Sequence, residues 1–193
     1  MGARPYIDYT KTTDKKIVFR NYKASPGEIF LKPEEIPDIE GFIYIEPNTK
    51  GTFGGNKDWG FENWQKVVNS LPYRFVQGWG RKLDGVEQIN TKSFRHACGL
   101  LSKADFFVGT DGGLHHAAAA LGKPAVVVWG GLVSPKILGY DTHINLHSGT
   151  HSCGSRTACE HCRKALEWVT VDKVIDAIRS LAEPKAQRLQ GSG

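Results

Sequence analysis

The chain has 193 residues, of which 40% are hydrophobic and 23% are charged, and these proportions are typical of a globular protein rather than a disordered one. At this length we expect one ordinary domain that buries a sizeable core. No apolar run is long enough to span a membrane, and the N-terminus lacks the apolar centre of an export signal, so we predict a cytoplasmic protein.

The formal net charge of +5 suits an anionic ligand. The basic residues are scattered along the chain, which favours a solvated basic surface over a nucleic-acid footprint. We therefore predict a small anionic ligand and no nucleic-acid partner.

In chain order, residues 1–40 are rich in Lys, Pro and Glu and predict an N-terminal extension. It holds a short strand at "KIVFRNY" and an extended connector, "SPGEIFLKPEEIPDIEG". From residue 41 the pattern is regular. Strands are predicted at "GFIYIEP", "YRFVQGWG", "VEQIN", "DFFVGT", "PAVVVWGG" and "HINLH". Helices are predicted at "GFENWQKVVNSL", at "SFRHACGLLSKA" with Ser93 as N-cap, at "GLHHAAAALG" up to Gly122, and at "TVDKVIDAIRSLA".

This alternation of strands and helices predicts an α/β fold with a doubly wound parallel sheet, Rossmann-like, over residues 41–182. Nearly continuous apolar strands such as "AVVVW" fit a sheet that is covered on both faces. Residues 183–193 predict a disordered tail.

The stretch "GTDGGLHHAAAALGKP", residues 109–124, lies where a predicted strand enters a predicted helix. Ligands of open parallel sheets bind at such junctions, and a helix N-terminus favours phosphate. Gly112 and Gly113 remove side chains that would keep a ligand off the backbone, and His115 and His116 can donate to a phosphate oxygen. We expect Asp111 to cap the helix and orient the loop rather than contact phosphate. The alternative is a tightly packed connection between strand and helix that binds no ligand.

A second glycine-bearing loop, "EPNTKGTFGGNKDW", follows the first core strand and precedes a helix. It carries Lys50, Asn56 and Lys57, and lysine is a compact point charge for phosphate. A phosphate site containing Asn56 and Lys57 is predicted here, with a solvated loop as the alternative.

Three of the four cysteines cluster in residues 151–162, "HSCGSRTACEHC". Cys153, Cys159 and Cys162, with His161 as a fourth ligand, would complete a tetrahedral site for structural zinc, and iron would also fit. Reduced thiols without metal and a disulfide both stay open. Cys98 is expected to be a small core residue.

The two loops together resemble a known family. "NKDWGFENWQKVV" resembles the lysine–tryptophan segment of the ADP-heptose-type glycosyltransferases (glycosyltransferase family nine). "FFVGTDGGLHHAAAALGKPAVVVWGG" resembles their Asp-x-Gly-x-x-His segment, in which a helix begins at the donor pyrophosphate. The resemblance places the family's Asp, Gly and His at Asp111, Gly113 and His116, and its donor-binding Lys at Lys57. Gly112 stands where the family usually has Thr or Ser, and His115 is extra.

The resemblance covers residues 41–182 and implies the donor-binding, C-terminal half of a GT-B glycosyltransferase. It implies an ADP-sugar donor held without a cofactor, with nucleoside contacts from the loops after the second and third core strands. The candidates there are Gln77, Trp79, Thr91 and Ser93.

Family members carry a whole N-terminal acceptor domain, whereas only 40 residues precede the matching region here. We therefore expect a homo-oligomer or a partner subunit that supplies the acceptor site, with His115 or Asp141 as candidate bases. Whether the chain is an enzyme stays open. The alternatives are a stand-alone protein that sequesters or senses an adenine nucleotide and, by fold analogy alone, an epimerase-like hydrolase.

Overall fold

The structure is a computed structural model, and it describes residues 4–49 and 54–190. Six strands form one parallel sheet: β1 (Ile43–Glu46), β2 (Phe75–Gln77), β3 (Glu87–Gln88), β4 (Phe107–Thr110), β5 (Ala125–Val128) and β6 (His143–Leu146). Their order is β3-β2-β1-β4-β5-β6, which is that of a doubly wound nucleotide-binding sheet. The predicted fold class is confirmed.

Six α-helices occur in the described residues: α1 (Phe61–Asn69), α2 (Phe94–Lys103), α3 (Gly113–Ala120), α4 (Pro135–Leu138), α5 (Glu160–Glu167) and α6 (Val171–Gln190). Alternate strand residues face opposite sides of the sheet. Ile43 and Ile45 therefore pack in the core with α1 and α6, whereas Phe42 and Tyr44 pack in the core with α2 and α3. Both faces are covered, as the apolar strands predict.

The helix α3 is built largely of alanine, and Ala117 and Ala118 are fully packed against the sheet. Small side chains bring the helix axis close to the strands. The N-terminus of α3 consequently lies at the carboxyl edge of the sheet, beside the ends of β1 and β4.

The N-terminal segment lies against the domain without forming the predicted strand at "KIVFRNY". Single bridges join Ile7 to Phe19 and Lys16 to Ser155, and the Ile17 N–H donates to the carbonyl of Gly154 at 2.7 Å. A Cβ atom at Gly154 would lie 1.8 Å from the backbone oxygen of Ile17, so this close approach requires glycine. The segment carries Arg4 to the carboxyl edge of the sheet.

Three further features differ from the sequence prediction. The short helices α4 and α5 were not predicted, because α4 has one turn and α5 lies in a stretch dominated by its cysteines. The closing helix α6 continues to Gln190, so residues 183–190 of the predicted tail are helical. The run "KAQRLQ" consists of good helix formers, which propagate a helix once it has begun.

Candidate functional site

A cavity of about 840 Å³ opens at the carboxyl ends of β1 and β4. The strand order reverses between these two strands, and such a switch point is where open α/β sheets bind ligands. Its lining is contributed by the N-terminal segment, the loops after β1, β2, β3 and β4, and the first turns of α2 and α3. The lining includes Arg4, Glu46, Asn48, Thr49, Lys57, Trp79, Thr91, Ser93, Phe94, Thr110, Asp111, Gly112, Gly113 and Leu114.

The helix α3 begins at the cavity with Gly112 as its N-cap. The Gly112 N–H donates to Nδ1 of His115 at 2.8 Å, and none of the hydrogen bonds described for this chain uses the N–H of Gly113 or Leu114. The prediction of Asp111 as N-cap is therefore wrong, because an imidazole from the first turn takes the capping contact and the carboxylate is paired elsewhere. Two unpaired N–H groups and the positive helix end line the cavity.

Lys57 and Asp111 form an ion pair in the wall of the cavity. Nζ of Lys57 lies 2.6 Å from Oδ2 of Asp111 and donates to its backbone oxygen at 3.2 Å. Burial raises the pKa of Asp111, and the adjacent ammonium group opposes this shift. The pair joins the loop after β1 to the loop after β4, and Lys57 is the more exposed partner.

The two histidines of α3 have different surroundings, and neither is among the residues that line the cavity. His115 is fully buried, with Nδ1 accepting from Gly112 and Nε2 3.1 Å from the Leu138 oxygen. His116 is half-buried, and its Nδ1 lies 2.7 Å from the Tyr140 hydroxyl. Burial lowers the pKa of His116 to about 4, with a contribution from the charges of Lys57 and Arg4. Both imidazoles are neutral at pH 7.

Glu46, the last residue of β1, is a buried carboxyl group on the cavity. Its Oε1 accepts from the backbone N–H and from Nδ2 of Asn48, at 3.0 and 3.1 Å. Its Oε2 is buried and has no hydrogen-bond partner among the described residues. Burial raises the pKa of Glu46 to about 8, although the two hydrogen bonds from Asn48 lower it. At neutral pH the group is therefore mostly protonated.

The structure brings most of the predicted nucleotide residues to this cavity. Lys57, Asp111, Gly112 and Gly113 line it, as do Trp79, Thr91 and Ser93. Ser93 is also the N-cap of α2, as predicted, and its hydroxyl accepts from the His96 N–H at 3.3 Å. Lys50 lies outside the described residues.

Asn56 and Gln77 do not line the cavity with their side chains. The amide of Gln77 is buried and hydrogen-bonded to Trp79, Arg81 and Leu83, so it shapes the loop after β2. The amide of Asn56 is likewise buried and bonded to the cysteine segment. The prediction that Asn56 contacts phosphate is not supported by this placement.

The cavity residues that sequence reasoning missed include Arg4, Glu46, Asn48 and Phe94. The acid at the end of the apolar strand "IYIE" was the one available signal, since a buried strand that ends in a charged residue at the carboxyl edge points to a site. Nothing local in the sequence links Arg4 to a loop more than forty residues away.

The cysteine segment brings three thiols together. The sulfur atoms of Cys153, Cys159 and Cys162 lie within 4.8 Å of one another, and all four cysteines of the chain are free thiols. His161 is not in this group, because its Nε2 lies 2.9 Å from the backbone oxygen of His151. Three thiolates fit three corners of a tetrahedral zinc or iron site. The described residues offer no fourth His, Cys, Asp or Glu ligand within the same distance.

Asn56 connects the cysteine segment to the cavity. Its Nδ2 donates to the oxygens of Ser155 and Thr157, at 2.9 and 2.8 Å, and its Oδ1 accepts from the Cys159 N–H at 3.0 Å. A Cβ atom at Gly130 would lie 2.3 Å from the Asn56 backbone oxygen, so glycine is required for this packing. The residue that follows Asn56 is Lys57.

The two predicted general bases lie away from the cavity. Both ring nitrogens of His115 are engaged within the protein. The carboxylate of Asp141 is almost fully exposed and pairs with Lys23 at 3.0 Å. Neither geometry supports proton transfer from an acceptor hydroxyl.

Comparison with known proteins gives one family match. Residues 86–167 match the model of Glycosyltransferase family 9 (heptosyltransferase). The resemblance to this family is confirmed at the stretch 109–124, whereas the loop that carries Lys57 lies outside the matched range. The matched range includes α2, α3 and the cysteine segment. No curated protein matches the chain.

Several solved structures share the fold. The E. coli heptosyltransferase WaaC with ADP is 21% identical with a TM-score of 0.56, and the match covers 76% of this chain and 46% of that one. The E. coli ADP-heptose lps heptosyltransferase II is 17% identical with a TM-score of 0.61, covering 82% and 54%. The iron-containing dodecameric glycosyltransferase TibC from enterotoxigenic E. coli is 18% identical with a TM-score of 0.60, covering 83% and 49%. The chain spans about half the length of these proteins.

Across the part of the chain that the structure describes, no helix has both the length and the apolar character that a bilayer crossing demands.

Proposed function

We propose that this chain, which resembles the family 9 heptosyltransferases over residues 86–167, binds a nucleotide-sugar donor by its diphosphate in the cavity between β1 and β4. The observation that carries the proposal is the unpaired N-terminus of α3 facing the cavity beside the Lys57 ammonium group. A helix N-terminus favours bound phosphate, and a lysine ammonium group supplies a compact positive charge beside it.

The phosphate groups would lie against Gly113 and Leu114, whose N–H groups are unpaired. Lys57 would turn one of its three donors toward the ligand and keep another on Asp111, since an ammonium group can serve several acceptors. When Nδ1 of His116 accepts from the Tyr140 hydroxyl, the ring proton is on Nε2, which has no described partner. His116 is not among the residues that line the cavity, but its ring lies close enough to Lys57 for that charge to lower the pKa of the imidazole, and we propose that Nε2 donates to a phosphate group bound beside Lys57.

The nucleoside would occupy the part of the cavity near Trp79 and Phe94, with Thr91 and Ser93 beside it. Aromatic side chains with a few polar groups are typical of nucleotide sites. The similar structures support a donor that contains adenine, because WaaC was solved with ADP and TibC with ADP-D-beta-D-heptose. We infer an ADP-sugar of the heptose type for this chain.

Isothermal titration with ADP and with ADP-heptose tests the proposal. We expect binding by the wild-type chain that falls about tenfold or more in Lys57→Gln and in His116→Gln, since each loses a donor to a charged ligand. Lys66→Gln, an exposed lysine on α1, and His151→Gln, an exposed histidine, are the matched controls. Unchanged affinity in both site variants would contradict the proposal.

We further propose that transfer requires an acceptor-binding half contributed by another domain or by a partner subunit. The carboxyl groups of the described cavity are Glu46 and Asp111; the first is mostly protonated and the second is paired with Lys57. Neither is a free base for an acceptor hydroxyl. Incubation of the chain with ADP-heptose should therefore leave the ligand intact, and release of ADP without a partner would contradict this part of the proposal.

A second proposal concerns the cysteine segment. We infer that Cys153, Cys159 and Cys162 hold one structural zinc or iron ion, with a fourth ligand from outside their group. The proximity of three thiols supports this, and TibC is described as iron-containing. Such an ion would tie the segment into one structure and, through Asn56, hold the loop that carries Lys57.

Metal content is the test. Mass spectrometry of the purified chain for zinc and iron should give about one ion per chain. The Cys153→Ser variant should lose it, whereas Cys98→Ser, which alters a buried cysteine outside the cluster, should keep it. Wild-type protein free of both metals would overturn this inference.

A further inference from the structure

The carboxyl group of Glu46 has an unusual environment. The residue is only 5% exposed, it ends the strand at which the sheet order reverses, and it lines the proposed ligand cavity. One oxygen is fixed by two donors from Asn48, and the other is buried without a partner among the described residues. A buried polar atom without a partner costs about 1–3 kcal/mol, so its retention at the edge of a cavity calls for a ligand.

The charged groups around Glu46 determine which part of a ligand it can meet. Tyr44 precedes it on the same face of β1, and Arg4, Lys57 and Asp111 line the same cavity from three other segments. An ionised carboxylate there would repel a diphosphate. The group therefore suits an uncharged, hydrogen-bonding part of the ligand.

We propose that Glu46 is a specificity-determining residue whose free Oε2 hydrogen-bonds a hydroxyl group of the carbohydrate in the bound nucleotide or nucleotide-sugar. This rests on the proposed function. The hydroxyl belongs to the ribose or to the transferred sugar, which offer the same chemistry. In the protonated state, which burial favours at neutral pH, Oε2 donates to the hydroxyl oxygen.

The orientation of Asn48 makes a sharp substitution available. Its two donors fix the acceptor oxygen Oε1, so in Glu46→Gln the amide oxygen keeps that place and Nε2 takes the position of Oε2. Glu46→Gln therefore retains a donor and cannot ionise. Glu46→Leu removes the donor at similar volume; it takes the acceptor from the backbone N–H of Asn48, while Nδ2 of Asn48 keeps the oxygens of Trp79 and Arg81.

Isothermal titration with pyrophosphate, ADP, 2′,3′-dideoxy-ADP and ADP-heptose tests the inference. We expect pyrophosphate to bind wild type and Glu46→Leu equally. If the hydroxyl is that of the ribose, Glu46→Leu lowers ADP affinity about tenfold and leaves dideoxy-ADP unchanged. If it is that of the transferred sugar, ADP is unchanged and ADP-heptose affinity falls by the same factor. Glu46→Gln keeps wild-type affinity for all four.

A pH profile separates this role from a merely structural one. As the pH rises from about 7 to about 9, Glu46 ionises, and the affinity of wild type for the affected ligand should fall, whereas the Glu46→Gln profile stays flat by comparison. If Glu46→Leu binds ADP as tightly as wild type does, and also binds ADP-heptose as tightly as wild type does, the inference is overturned while the proposed phosphate binding stands. Failure of wild type to bind even pyrophosphate and ADP would instead overturn the proposed function, and this inference with it.

Discussion

Nζ of Lys57 lies 2.6 Å from Oδ2 of Asp111, and this ion pair joins the loops that leave β1 and β4. The two strands are neighbours in the sheet but are separated by 60 residues of chain, so the pair closes the switch point on one side. The side chain of Asp111 is 4% exposed and that of Lys57 is 21% exposed. Removal of Lys57 and removal of Asp111 should therefore have different effects on the stability of the fold.

We predict that Lys57→Met destabilises the fold more than Asp111→Asn does. The first leaves a buried carboxylate without its cation, which costs about 3–5 kcal/mol, or forces it to take up a proton. The second leaves an ammonium group that can reach water along a flexible stem and costs less. Urea denaturation at pH 7 measures both free energies of unfolding, and the double variant should recover part of the Lys57→Met loss. An equal loss in the two single variants would contradict this asymmetry.

We predict that Asn56→Ala weakens both the cysteine segment and the phosphate site. The change leaves the oxygen of Ser155 and the N–H of Cys159 without the partner that they have now, whereas the oxygen of Thr157 keeps the hydrogen bond from the Ser155 hydroxyl. With about 1–3 kcal/mol for each unsatisfied group, partly relieved by water, we expect about 2–4 kcal/mol lower stability in urea denaturation. Metal content and ADP affinity should fall together.

Asn69→Ala, at the exposed end of α1, is the control for this change and should alter neither metal content nor ADP affinity. Loss of metal with full ADP affinity in Asn56→Ala would show that the cysteine segment and Lys57 are independent.

We predict that Arg4 contributes a long-range electrostatic attraction to the ligand. Its side chain lines the cavity and is exposed, so Arg4→Gln should lower ADP affinity by about threefold at low salt and by less at high salt. Lys15→Gln removes the same charge from the same segment at a position away from the cavity. Equal effects of the two substitutions would mean that only the net charge of the segment matters.

We predict that the fold loses stability as the pH falls from about 6.5 to about 4. Burial lowers the pKa of His116 and of His143 from 6.5 to about 4, so in this window the unfolded chain binds protons that the folded chain does not. The free energy of unfolding therefore decreases as the pH is lowered through this window. The contribution of the two histidines to stability is complete above about pH 6.5. Thermal denaturation of His143→Gln should show a shallower decline than wild type.

The exposed histidine in His151→Gln provides the control for the pH series, and its profile should follow that of wild type. A profile of His143→Gln that is parallel to that of wild type would mean that buried histidines do not govern the acid limit.

The sequence was sufficient for the centre of the sheet, because β1, β4 and β5 are nearly continuous apolar runs, whereas the edge strands β3 and β6 carry more polar residues. The same pattern located the loops that follow β1 and β4, and therefore Lys57 in the first loop and Gly112 and Gly113 in the second. Residues whose role depends on distant packing could not be predicted. Asn56 precedes Lys57 in the chain, yet its buried amide faces the cysteine segment about a hundred residues later.

Capping of α3 shows the same limit. An acid before a helix predicts an N-cap, but Asp111 is held by Lys57 and the cap contact falls to His115. The choice between two local partners was decided by a tertiary ion pair. Arg4 was missed for a related reason. Only tertiary packing places this N-terminal residue at the cavity, and no periodic pattern in the sequence indicates the position of a single basic residue.

The most direct measurement is a crystal structure of the chain soaked in ADP. We expect diphosphate oxygens at about 3 Å from the N–H groups of Gly113 and Leu114 and from Nζ of Lys57, with the adenosine between Trp79 and Phe94. A nucleotide bound at any other place, or an empty cavity at saturating ADP, would contradict it.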